Sequence, residues 1–192
     1  MRHQYDEHRT ICVVDVAGFG NPDRTRLDHV TIRAGIHGGL RQACEKTGIP
    51  WDSCHVEVVG DSVLVLIPAA LPKGVPAGLL PPALSAELCA HNGTHPPAQR
   101  IKLRMALHAG EITRDELGVT GSAIVHAHRL LDAAAFKKAC ARARTPLAMI
   151  VSAWFYAEVV RHRPEYAPAT YRRVQVAVKE TDGIGWVRVL RT

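Results

Sequence analysis

The stretch from Ile11 to Gly20 constrains this chain most. An apolar run, Ile11-Cys12-Val13-Val14, meets one carboxylate at Asp15, and Val16-Ala17 then lead to Gly18-Phe19-Gly20. A β-branched run bounded by glycine reads as a buried strand. A carboxylate near the end of such a strand is costly unless it is paired or bound to a cation. Gly18 and Gly20 let the backbone turn tightly with amides exposed, an arrangement suited to phosphate. Two readings of the stretch fit: a metal ligand beside a phosphate cradle, or a capping Asp in a strand-to-helix loop.

The rest of the composition narrows the class. With 192 residues, 47% of them hydrophobic, the chain is long and apolar enough for one folded domain with a sizeable core, expected to span residues 1–192. No run reaches the roughly 18 apolar residues of a membrane helix, and the polar start Met1-Arg2-His3-Gln4-Tyr5-Asp6 lacks a secretion signal. A cytoplasmic protein without membrane attachment is expected. Five scattered cysteines without a CxxC pair point to free thiols rather than a disulfide framework or a zinc knuckle. The net charge of +6 is spread along the chain and aromatics are only 5%, so an anionic small ligand accounts for it better than nucleic acid.

Periodicity gives a strand at about 10–17 and a helix over 23–47 with Leu27, Val30, Ala34, Ile36, Leu40 and Ala43 as its apolar positions. Glycines 35, 38 and 39 weaken that helix and permit close packing with a neighbour. Residues 55–59 and 62–67 form a hairpin around Gly60-Asp61. A proline-rich loop covers 68–82, a helix 83–91, and a second loop the stretch to 97. A half-exposed strand covers 101–108, with 111–119 as an arm. A helix runs over 121–136, a strand over 147–151, and a helix to about 161 is capped by Ser152. Two last strands, about 170–178 and 184–190, flank a turn at Asp182-Gly183. This order favours an α+β sheet with helices on one face.

Asp15 and Asp61 stand out as carboxylates at the ends of strands that lie side by side in a ferredoxin-like sheet. Such a pair suits divalent cations held against a triphosphate. Five stretches then resemble, in order, the motifs of class III nucleotidyl cyclases. These are Val14-Asp15-Val16-Ala17-Gly18-Phe19; Glu57-Val58-Val59-Gly60-Asp61-Ser62-Val63-Leu64; Leu103 to Glu111; Gly121 to Leu130; and Val174 to Lys179. The resemblance implies a ferredoxin-like cyclase-homology fold, mainly antiparallel sheet with helices packed on it, working as a head-to-tail homodimer with shared sites.

It also implies roles. Asp15 and Asp61 would hold two Mg²⁺ or Mn²⁺ ions, and Ala17, Gly18, Phe19 and Gly20 would cradle phosphates. From the other subunit, Arg129 would stabilise charge on the transferred phosphorus and Lys179 would bind terminal phosphates. The implied reaction is internal phosphoryl transfer with release of pyrophosphate. The positions that read the base fall on Glu57, the guanylyl-type choice, and near Gly118. A transition-state Asn falls on Val125, which has no hydrogen bond to give; loss of one such donor costs about 10²- to 10³-fold in rate. Without the resemblance, Arg129 is a solvated helix residue, Lys179 guards a strand edge and Glu57 is a solvated strand residue. His126 and His128 lie about 200° apart on a helix and do not share a metal. The expectation is therefore a divergent cyclase-like domain that binds metal–nucleoside triphosphate with weak or absent cyclic-nucleotide formation. The alternative is an inactive cyclase-homology module that senses nucleotide or engages a protein partner in signalling or defence.

Overall fold

The structure is a computed structural model and describes residues 5–190. Residues 1–4, the start of the polar N-terminal stretch, and residues 191–192 lie outside the described residues. The strands are β1 (Tyr5–Val16), β2 (His55–Val59), β3 (Ser62–Pro68), β4 (Leu103–Asp115), β5 (Gly118–Thr120), β6 (Leu147–Ser152), β7 (Arg172–Val178) and β8 (Thr181–Val189). The helices are α1 (Arg26–Lys46), α2 (Leu80–Thr94), α3 (Ser122–Asp132), α4 (Ala134–Arg142) and the short α5 (Ala153–Phe155), which runs on into a π-helical turn, Tyr156–Val160.

The strands form one sheet in the order β2-β3-β1-β4-β6-β8-β7, with β5 paired to β4 alone. Every pairing is antiparallel except β4 with β6. This is the mainly antiparallel α+β sheet expected from the pattern. Helices cover both faces, not one. On β1, Cys12, Val14 and Val16 join α1, α2 and α5 in one core, while Ile11 and Val13 join α3 and α4 in the other. A strand alternates its side chains between faces, so a continuous apolar run marks a strand buried on both sides. The unbroken run 11–14 carried that information.

Local chemistry accounts for the helix ends. Thr25 opens α1 with a capping box: its hydroxyl accepts from the Asp28 amide, and the Asp28 carboxylate accepts from the Thr25 amide. The buried stripe of α1 is Ile32, Ile36, Leu40, Ala43 and Cys44; Leu27 and Val30 are exposed. Gly35 sits where a Cβ would come 2.6 Å from the His91 ring of α2, so its missing side chain permits that contact. Ser152 caps α5 by accepting from the Phe155 amide at 3.1 Å.

Several bounds depart from the sequence reading: β1 begins at Tyr5, the proline-rich stretch holds a π-helical turn, Val75–Leu79, and the start of α2 at Leu80, and β4 runs on to Asp115. The helix expected over 121–136 breaks at Ala133, whose backbone is extended (φ −56°, ψ 123°), and α4 restarts at once. No proline or glycine marks the break; burial of Leu130, Leu131, Phe136 and Cys140 in one core does. The last hairpin turns at Lys179-Glu180, because Val178 pairs with Thr181 and Gly183 pairs with Val176 inside the ladder. Lys179 takes the left-handed conformation there, φ 49°.

Candidate functional site

On β1 the odd positions face α3 and α4, and Asp15 continues that face beyond Ile11 and Val13. On the neighbouring strand, Ser62 lies opposite Asp15, so Asp61 in the β2–β3 turn sits one residue away. Both carboxylates line one cavity of about 390 Å³. Its walls include Glu57 and Val59 of β2, Leu64 of β3, Val119 of β5, and His128 and Asp132 of α3. The sequence-predicted pair is therefore brought together, and Glu57 with it. Gly118 does not line this cavity but lies near Glu57: a Cβ there would be in ordinary contact with Glu57 Oε1, at 3.6 Å.

Asp15 is not free. Arg104, directly across on β4, donates from Nε to Oδ1 and from its terminal nitrogen to Oδ2, each at 2.7 Å. Both side chains are about 15% exposed. Burial pushes the Asp15 carboxyl above its usual range, Arg104 pulls it back down, and Asp61 and Asp132 push it up again. Asp61 makes no side-chain hydrogen bond or ion pair among the described residues. Arg104 went unnoticed in the sequence because its role depends on strand register, set 89 residues away.

The carboxylate pair fits a divalent cation. Two carboxylates, one on β1 and one in the adjoining β2–β3 turn, line a common cavity, and Asp61 raises the Asp15 carboxyl. Among the described residues no three His, Cys, Asp or Glu side chains are grouped to hold a metal. The remaining ligands would come from substrate oxygens or water, which is the habit of Mg²⁺.

The loop from Ala17 to Gly20 follows Asp15 but does not line the cavity. Gly18 has φ 71°, a conformation glycine adopts without strain. The Ala17 amide donates to Lys102 O and the Phe19 amide to Val16 O, which leaves the Gly18 and Gly20 amides outside the backbone hydrogen bonds of the described residues. The loop is braced by Arg24, just before α1, which donates to Gly18 O at 2.9 Å, and by His29 of α1, on which Phe19 stacks at 4.4 Å between centroids.

Arg129 and Lys179 lie elsewhere. Arg129, on α3, donates to Glu180 Oε1 at 3.0 Å in the β7–β8 turn, and its buried Nε has no hydrogen-bond partner among the described residues. Lys179 is exposed in that same turn. Val125 is 46% exposed and lines a second cavity with His108, His126 and Glu180. His128 faces the Asp15 cavity instead, so the two histidines part as their spacing requires. His108 Nδ1 lies 2.8 Å from Ser152 Oγ, and its ring meets His126 edge-on at 4.8 Å. Burial, with His126 and His8 nearby, pushes the His108 imidazole down to about 4.

No protein-family model and no curated protein matches the sequence. Solved structures do. The chain is similar to an adenylate/guanylate cyclase/hydrolase from Silicibacter pomeroyi, at TM-score 0.67 and 15% identity over 98% of this chain and 100% of that one. It is similar to the guanylate cyclase domain of a rhodopsin–cyclase from Catenaria anguillulae in complex with GTP, at TM-score 0.59 and 13% identity over 98% and 100%. It is similar too to a non-canonical dimeric guanylyl cyclase domain from the aquatic fungus Blastocladiella emersonii, at TM-score 0.59 and 14% identity over 97% of each. Matched along almost its whole length, the chain has the fold of a nucleotidyl cyclase catalytic domain.

Proposed function

We propose that this chain binds a nucleoside triphosphate with a divalent cation, through Asp15 and Asp61, and forms a 3′,5′-cyclic nucleotide and pyrophosphate weakly or not at all. One observation carries the reading: the two carboxylates share a cavity with Glu57, and one of them is unpaired. A divalent cation bound there would set positive charge against the triphosphate and acidify a bound hydroxyl. Asp15 and Asp61 would hold and orient that charge. Arg104 would keep the Asp15 carboxylate in plane, and once the carboxylate is shared its guanidinium could turn to a phosphate oxygen. Glu57 would orient the base, with Gly118 leaving it room, and the Gly18 and Gly20 amides would meet phosphate.

Arg129 and Lys179 sit away from this cavity, which supports a site completed by a second copy arranged head to tail. The Blastocladiella emersonii domain has been solved as a non-canonical dimer and as a monomer, so its dimer is no template for that arrangement. Arg129 would release Glu180 to place its charge on the transferred phosphorus.

A second reading, an inactive module that senses nucleotide or docks a signalling protein, is favoured by Val125. An apolar, half-exposed side chain stands where the resembled family supplies a hydrogen bond. Incubation with each of the four ribonucleoside triphosphates and Mn²⁺, beside an Asp61→Ala control, separates the two by mass spectrometry of the products. A cyclic product that vanishes in the control supports the enzyme. Nucleotide binding without product supports the sensor, and absence of both removes the site.

A further inference from the structure

Glu57 does not stand alone on the edge strand. His55, two residues earlier on the same face of β2, places Nε2 at 2.7 Å from Glu57 Oε1. The other ring nitrogen, Nδ1, lies 3.2 Å from a terminal nitrogen of Arg114. Arg114 comes from the far end of β4, where that strand pairs with β5. It is anchored in turn by Glu7 of β1, to which it donates from Nε and its other terminal nitrogen at 3.3 and 3.2 Å. Arg9 pairs with the second oxygen of Glu7.

The direction of this chain follows from what each group is able to do. A guanidinium only donates, so Nδ1 of His55 must accept. An imidazole that accepts at Nδ1 carries its proton at Nε2, and that proton goes to Glu57 Oε1. Glu57 is thereby pinned by one oxygen, and its side chain lines the cavity it shares with Asp15 and Asp61. All five groups are partly shielded: Arg9, Glu7, Arg114 and His55 are 17 to 25% exposed and Glu57 is 38% exposed.

We propose that His55, oriented by Arg114, is a positioning residue that holds Glu57 as a fixed acceptor, so that the cavity selects a ligand edge rich in N–H groups. This rests on the proposed nucleotide site. Among purines, guanine presents a ring N–H beside an amino group, and adenine presents a ring nitrogen acceptor that a carboxylate repels. A loose Glu57 would turn away from adenine; a pinned one must meet it. The selectivity therefore depends on the pin as well as on the carboxylate.

The test measures dissociation constants for Mn²⁺–GTP and Mn²⁺–ATP by calorimetry on the full chain and on His55→Phe, His55→Gln and Arg114→Gln, with melting curves to show that each is folded. The wild type is expected to favour GTP. His55→Phe is expected to cut that preference about tenfold, the scale of one lost charge-assisted hydrogen bond. His55→Gln, which keeps a donor, is expected to restore most of it. Nitrogen-15 spectra should show His55 protonated at Nε2 in the wild type and mixed in Arg114→Gln. An unchanged GTP-to-ATP ratio in folded His55→Phe overturns the proposal while nucleotide binding stands. A wild type that binds neither triphosphate overturns the proposed site itself, and this inference falls with it.

Discussion

Asp15 and Asp61 are the same residue type in one cavity, yet their surroundings make them unequal. Asp15 is locked to Arg104 in the half-dry interior, and removing one member of such a pair strands the other charge. Asp15→Ala should therefore cost about 2–3 kcal/mol in urea unfolding. Asp61 has no partner to strand among the described residues, and its loss relieves Asp15, so Asp61→Ala should change stability by less than about 0.5 kcal/mol. If both variants lose nucleotide binding, the Asp61 result is the one that speaks for the site. His108 gives the pH signature. Its folded-state value, about 4, lies below the ordinary 6.5, so the unfolded chain takes up the proton first. Stability should be complete above about pH 6.5 and fall by about 2 kcal/mol as pH drops toward 4, allowing for partial exposure. His108→Gln should flatten that slope in thermal melts recorded across the range.

Among the elements, α1 shows how far a sequence pattern reaches. Its length, its glycines and its contact with a neighbour were legible, but which glycine mattered was not. Gly35 meets the His91 ring, whereas nothing lies within 4 Å of a Cβ at Gly38. Gly35→Ala should cost about 1–3 kcal/mol by overpacking, and Gly38→Ala should gain about 0.5–1 kcal/mol from helix propensity, both read from urea midpoints. The strands were legible from β-branched runs, and the β2–β3 hairpin from Gly60-Asp61. The break at Ala133 and the turn at Lys179-Glu180 were not, because each is set by tertiary burial and register, against the local turn signal of Asp182-Gly183. Arg104, His55 and Arg114 were hidden for the same reason. Charged side chains on strands acquire partners only when the sheet order is known, whereas Asp15 and Asp61 were conspicuous because each interrupts or ends an apolar run.

At the scale of the whole molecule, the candidate groups divide into two sets. Asp15, Asp61 and Glu57 share one cavity, while Arg129 and Lys179 meet at the β7–β8 turn. If the wild type forms product and two copies complete each other's sites, Asp61→Ala and Arg129→Ala should each be inactive alone. Mixed in equal amounts and allowed to exchange, they should recover about a quarter of the wild-type product, since half the dimers are mixed and each has one intact site. Recovery of nothing argues against shared sites. The sheet order also bears on how the chain comes to be functional. Asp15 and Asp61 emerge early in synthesis, but the wall behind Asp15 is Arg104 of β4, and the parallel β4–β6 pair needs the α3–α4 crossover before the sheet is filled. The cavity is thus a late product of the nascent chain. Until residue 104 has left the ribosome, Asp15 lacks the guanidinium that holds it and the β4-facing edge of β1 has no partner strand.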